Sequence, residues 1–199
     1  SITYATGTLT VNAAALTITG ISISNKTYNG NTTATITGTA AYSGLVNGES
    51  FSVTGTPSAS FADANVGTGK AVTVSGYTAP SSNYSITQPT GLTANITAAS
   101  LTVTASAQSK TYGSTAPTSG TLNTNFTVSG LQGTDAASGA TLGYSGTTAG
   151  NLATATVGSY TITPSALTLS SGSPSNYSIT YATGTLTVNT APLTITGIS

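Results

Sequence analysis

The chain has no cysteine, histidine, methionine, tryptophan or arginine. Each absence removes a chemistry. Without cysteine there is neither a disulfide framework nor a thiol nucleophile. Without histidine the usual base of a hydrolytic triad is missing, and zinc and copper lose their preferred ligands. Charge is almost as scarce: Lys26, Lys70, Lys110, Glu49, Asp63 and Asp135 are the only charged side chains among 199 residues, and they cancel. Nucleic-acid binding requires several phosphates to be neutralised together, which three scattered lysines cannot do. Glycoside hydrolysis requires two carboxylates roughly 5 to 10 Å apart. Glu49 and Asp63 alone share one half of the chain, Asp135 stands by itself in the other, and all three read as solvated turn residues. Calcium asks for six to eight oxygens, several of them from carboxylates, and no D-x-D-x-D run occurs. No apolar run approaches the roughly 18 residues of a membrane helix. The expectation is a chain that is not an enzyme, holds no metal or cofactor, binds no nucleic acid and inserts in no membrane.

What is present points to β structure. Hydrophobic residues make up 37% of the chain, too many for a disordered segment without net charge. Thr, Ser and Gly are abundant, whereas the strong helix formers other than Ala and Leu are nearly missing. A surface of hydroxyls and amides replaces the usual charges, so stability should respond little to salt.

The sequence also repeats itself. SITYATGTLTVNAAALTITGIS at its start returns as SITYATGTLTVNTAPLTITGIS at its end, Ser178 answering to Ser1 at a spacing of 177 residues. Only Ala13 and Ala15 differ, replaced by Thr190 and Pro192. The chain reads as one period of a tandem array plus an overlap, and an array copied this closely is selected for length or copy number, since a single active site gains nothing from repetition. A weaker repeat lies inside the first. LTITGISISNKTYNG from Leu16 answers to LTVTASAQSKTYGS from Leu101, SGLVNGES from Ser43 to SGLQGTDA from Ser129, NVGTGKAVTVSG from Asn65 to TVGSYTITPSA from Thr156, and NYSIT occurs at Asn83 and at Asn176. The expected organisation is residues 1–14 as the last strand of a preceding second-type unit, 15–99 as a first unit, 100–191 as a second, and 192–199 as the first strand of a following first-type unit.

Leu16 and Ile18, Val72 and Val74, Leu101 and Val103, and Leu186 and Val188 alternate with polar residues. This period of two predicts half-buried antiparallel strands, about seven per unit. TYNGNTT, TAPSSN and SSGSPSN supply turns. GLVNGES and GLQGTDAASG interrupt the alternation and read as short crossover turns, the only places for a helical turn. Units joined by a residue or two cannot tumble freely, so an elongated, semi-rigid rod is expected, with Pro192 stiffening a junction.

Several smaller signals carry alternatives. Asn25, Asn31, Asn83, Asn95, Asn125 and Asn176 head N-x-S/T sequons and are candidate glycan acceptors, against chance occurrence in a chain rich in Asn, Ser and Thr. Lys26 and Lys110, beside Tyr28 and Tyr112, suit either an isopeptide crosslink to Asn or, by default, a stem lying on a tyrosine with its amine in water. Tyr84, Tyr177 and Tyr181 offer either a sugar-stacking platform or ordinary buried packing. The Thr rows of LTIT, LTVT and TLTVN are too short for an ice-binding lattice.

KTYNGNTTATITG at Lys26 to Gly38, SFADANVGTGKAVTVSG at Ser60 to Gly76 and the closing NYSI resemble the YDG repeat domain of large bacterial adhesins. LTVTASAQSKTYG, VSGLQGTD, VGSYTI and NYSITYATGTLTVN resemble the MBG domain, a β-grasp-like repeat that accompanies YDG in the same proteins. Asn29 stands where the first family's motif has Asp, and Ser114 where the second often has Asp, which leaves the fold intact but removes two carboxylates. The resemblance implies two tandem small all-β domains, β-grasp-like or β-sandwich-like, placed end to end. It further implies a stalk or filament segment of a secreted, filamentous-haemagglutinin-like surface protein of a Gram-negative bacterium, exported by two-partner secretion and serving adhesion or a biofilm matrix. Its partners would be neighbouring repeats, laterally associated copies or extracellular glycans, the last as a repeated binding module acting by avidity.

Overall fold

The structure is a computed structural model and describes residues 2–197. Two compact units form. The first takes the chain up to Lys26 together with Thr32–Ile96, and the second takes Thr27–Asn31 together with the chain from Thr97 onward. The fold is all-β, as composition predicts. A single turn of 3-10 helix at Pro174–Asn176 is the only helical element among the described residues.

The first unit is built from β1 (Ala14–Ile23), β2 (Lys26–Thr27), β3 (Thr33–Ala34), β4 (Ile36–Ser43), β5 (Thr54–Phe61), β6 (Gly67–Thr78), β7 (Tyr84–Thr87) and β8 (Thr93–Thr97). They make a three-stranded sheet in the order β4-β1-β7 and a five-stranded sheet in the order β2-β8-β6-β5-β3. The second unit is built from β9 (Ala99–Ala105), β10 (Gln108–Thr111), β11 (Ser119–Thr121), β12 (Phe126–Ser129), β13 (Ala136–Tyr144), β14 (Gly158–Ser171), β15 (Tyr177–Ala182) and β16 (Gly184–Asn189). Its sheets run β12-β9-β15 and β10-β16-β14-β13-β11. The two orders are the same: every strand of the first unit has its counterpart eight strands later. The weak inner repeat of the sequence is therefore a repeat of topology.

The alternating positions face the cores. Leu16 and Ile18 of β1, Val72 and Val74 of β6 and Ile96 of β8 are buried in the first unit. Leu101 and Val103 of β9, Phe126, Leu142, Ile162, Leu186 and Val188 fill the second. Thr17, Thr73, Thr102 and Thr187 between them face outward. Pro164 lies in the interior of β14 without disrupting a ladder, because the pairing of β14 with β16 ends at Ile162 and its missing N–H is not called for there.

Strand direction departs from the expectation of purely antiparallel sheets. β1 pairs β7 in parallel, with Ala14 opposite Tyr84, and β9 pairs β15 in parallel, with Ala99 opposite Tyr177. β10 also runs parallel to β16. Alternation has the same period in both ladder types and cannot report direction. The connection decides it, since in each unit the chain passes through strands of the five-stranded sheet between β1 and β7, and between β9 and β15, instead of joining them by a hairpin. GLVNGES and GLQGTDAASG contain tight turns at Asn47–Gly48 and Gly133–Thr134 without a helix.

The end segments expected to be strands of neighbouring units have no partner strand here among the described residues. Residues 2–13 and 190–197 are exposed and outside any sheet; Ser1, Ile198 and Ser199 lie outside the described residues. The reason is pairing. TGTLTVN at Thr6–Asn12 is identical to Thr183–Asn189, yet Leu186, held between β10 and β14, is fully buried whereas Leu9 is 87% exposed. The same residues make a strand only where partner strands flank them.

Candidate functional site

The best-defined polar site recurs once per unit, at the point where the crossover turn meets the NYSIT strand. In the second unit the Asp135 N–H bonds the Gln132 carbonyl at 3.0 Å, with Gly133 left-handed between them at φ 57°. That turn aims the Gln132 N–H and the Asp135 carboxylate at one point, the hydroxyl of Tyr177. The hydroxyl accepts from Gln132 N–H at 2.9 Å and donates to Asp135 Oδ2 at 2.6 Å. Tyr177 is delivered there by the 3-10 turn that opens β15.

A second tyrosine converges on the same oxygen. Tyr28, in the Thr27–Asn31 segment of this unit, donates its hydroxyl to Asp135 Oδ2 at 2.9 Å. Its ring meets that of Tyr177 edge to face, with centroids 5.4 Å apart and planes at 80°, a favourable quadrupole geometry. Asn176 hydrogen-bonds the Tyr28 side chain as well. Glycine makes room at two points. A Cβ at Gly172 would overlap the Asp135 carboxyl, and Gly30 and Gly133 pack so closely that a Cβ on Gly30 would stand 3.1 Å from the Gly133 Cα. Burial, then the bond to Asp135, pushes the Tyr177 hydroxyl up to about 12, and the same causes in the same order raise Tyr28.

The first unit repeats the device in a more open form. The Glu49 N–H bonds the Val46 carbonyl at 3.1 Å, and the Tyr84 hydroxyl accepts from the Val46 N–H at 3.2 Å while donating to Glu49 Oε2. Phe51 is the edge-to-face neighbour of Tyr84, at 6.1 Å. The Glu49 bond is the first cause of a raised Tyr84 pKa. Glu49 itself is exposed, and a cavity of about 350 Å³ opens beside it, lined by Asn12, Val46, Asn47, Asn83 and Tyr84 among others.

These contacts correct the reading of the acids. Asp135 and, at an exposed turn, Glu49 are acceptors for tyrosine hydroxyls, whereas Asp63 lies 2.6 Å from Lys70 in an exposed ion pair. Glu49 and Asp63 thus have separate partners. The lysines change too. Lys110 is buried, its amine donating to the carbonyls of Ser114, at 3.0 Å, and Leu152. Lys26 donates to the Thr33 carbonyl at 3.1 Å and lies over the Phe61 ring. Both amines serve main-chain carbonyls, which is neither the crosslink nor the amine in water.

The tyrosines singled out for sugar stacking are mostly interior. Tyr84 and Tyr177 are buried, and Tyr181 is half-buried with its hydroxyl accepting the Leu167 N–H. Of the sequon residues, Asn25, Asn31 and Asn83 are exposed and Asn95 and Asn125 half-buried, the last two accepting main-chain N–H groups of Gly69 and Thr121. Asn176 is only 2% exposed. A glycan there requires the site around Tyr28 to open. Among the described residues no group of three or more His, Cys, Asp or Glu is placed to hold a metal ion.

The sequence reading missed the tyrosine–carboxylate site, although a signal for it existed: Glu49 and Asp135 occupy equivalent places in the inner repeat, as do Tyr84 and Tyr177, so two of only three acids track two of the ten tyrosines.

Residues 12–91 match the YDG domain and residues 101–187 match the MBG domain of the YGX type. The chain is a YDG–MBG tandem. No curated protein and no solved structure matches it. YDG and MBG are non-enzymatic module families, typical of extracellular surface proteins. Among the described residues no helix is long and apolar enough to cross a membrane. In the YDG–MBG tandem the residues 27–31 that carry Tyr28 belong to the YDG match but fold with the second compact unit.

Proposed function

We propose that the YDG–MBG tandem is a shaft segment of a long secreted surface protein, repeated to set length and carrying a distal binding region away from a Gram-negative cell. The observation that carries this reading is the return of residues 1–22 at a spacing of 177, almost letter for letter. A module selected for catalysis has no use for such a period, whereas a spacer improves with every copy. The reading draws further support from the chemistry available. Glu49 and Asp135 are engaged by tyrosine hydroxyls and Asp63 by Lys70, and no histidine or cysteine exists to act as base or nucleophile. Its sites hold the chain together instead of acting on a substrate. One residue separates β8 from β9.

Two-partner secretion, an adhesive or biofilm role, and extracellular placement belong to this proposal. A glycan array and a matrix pull-down on one 177-residue period test it against the repeated-binding alternative. The shaft reading expects no saturable binding at the highest soluble concentration. Specific, saturable binding by an isolated period would replace it with the glycan- or matrix-binding module.

A further inference from the structure

We infer that Tyr112 is a docking residue for the next copy of the repeat: its phenol enters the Glu49–Tyr84 site of a following YDG domain, as Tyr28 enters the Asp135–Tyr177 site. The inference rests on the array reading above, and four observations carry it.

First, Tyr112 and Tyr28 are equivalent in the fold. Tyr28 donates its N–H to the carbonyl of Thr97 at 2.8 Å, and Tyr112 donates its N–H to the carbonyl of Asn189 at 2.8 Å, Thr97 and Asn189 being the last residues of the matching strands β8 and β16. Second, their burial differs. Tyr28 is 5% exposed, whereas Tyr112 is 48% exposed, a large aromatic side chain about half open to solvent. Third, the receiving half is duplicated. Val46, Glu49 and Tyr84 reproduce the hydrogen bonds of Gln132, Asp135 and Tyr177, but Asp135 takes two tyrosine hydroxyls and Glu49 takes one.

Fourth, the delivery is already marked in the chain. Asn12, which lines the cavity beside Glu49 and Tyr84, is the sequence equivalent of Asn189. In a preceding MBG domain, the residue at that place is the one whose carbonyl holds the main-chain N–H of Tyr112. A strand that ends at the cavity therefore brings the tyrosine with it. The cavity has room for a phenol ring, and a hydroxyl entering it meets a carboxylate with a lone pair to spare.

The test uses a chain of two successive periods in which Tyr112 of the second copy is changed to Phe, so that Tyr112 of the first copy alone reports. Tetranitromethane modifies exposed tyrosines, and the rate at Tyr112 is read by peptide mass spectrometry against the 199-residue chain. Docking predicts that nitration of Tyr112 falls about tenfold or more in the two-period chain. It further predicts that Glu49→Gln or Glu49→Ala in the second copy restores a large part of the lost rate, with Tyr28 protected throughout as the control for folding. Nitration of Tyr112 at the single-chain rate, with Tyr28 still protected, overturns the inference. Extension of the particle with each added period is measured separately. A particle that lengthens while Tyr112 stays reactive sinks the docking alone, whereas one that fails to lengthen sinks the shaft.

Discussion

At the scale of residues, one carboxylate oxygen of Asp135 holds two tyrosine hydroxyls, and a third tyrosine is held by Glu49. Bonds to a charged acceptor that is partly buried contribute more than neutral ones, about 1.5 to 3 kcal/mol each. Tyr177→Phe should therefore destabilise the second unit by about 2 kcal/mol. Asp135→Ala should cost about 3 kcal/mol, because it strands two buried hydroxyls. Glu49→Ala, at an exposed site, should cost about 1 kcal/mol or less. Urea unfolding of each variant reads these values, and equal costs for Asp135 and Glu49 would contradict the difference in burial. The same tyrosines predict a response to base. The folded-state pKa of Tyr177 is raised to about 12, above its unfolded value of about 10, so the fold favours the neutral hydroxyl. Its stabilisation is complete below pH 10 and is lost as pH rises from about 10 through about 12, where the unfolded chain ionises first. The urea midpoint should fall across that window, less steeply in Tyr177→Phe. A midpoint flat to pH 12 would show that the hydroxyl is not sequestered. None of this was legible in the residues taken singly. An isolated Asp in a Gly-Thr-Asp turn reads as a turn acid, and the tyrosine Tyr177 that it binds lies 42 positions away.

At the scale of elements, much was open to reading and the rest has a physical reason for being hidden. Alternation of Leu16 with Ile18 and of Leu101 with Val103 located β1 and β9 and the face each buries. Ladder direction was not encoded in it, which is why parallel pairing of β1 with β7 and β9 with β15 emerged only in the structure. The two copies of TGTLTVN make the limit concrete, since one sequence has two fates according to its partners. Amide hydrogen exchange should reproduce this. Thr8–Asn12 should exchange near unfolded-chain rates in the 199-residue chain while Thr185–Asn189 is strongly protected. Protection of both would mean that the segment pairs elsewhere.

At the scale of the whole molecule, composition sets the physics of the surface. Lys70–Asp63 is an exposed ion pair, of the kind that contributes little and is screened by salt. Sodium chloride between 20 mM and 500 mM should therefore change the unfolding free energy by no more than about 1 kcal/mol, and a larger loss would reveal an electrostatic contribution that six charges do not explain. The YDG and MBG units share one strand order, and the sequence returns to its start after both, so the account's central claim is that the tandem is a unit of length. Electron microscopy of chains carrying one, two and four periods tests it most directly. The account predicts thin particles whose contour length grows by the same increment with each added period. Compact particles whose longest dimension does not increase in proportion to the number of periods would contradict it.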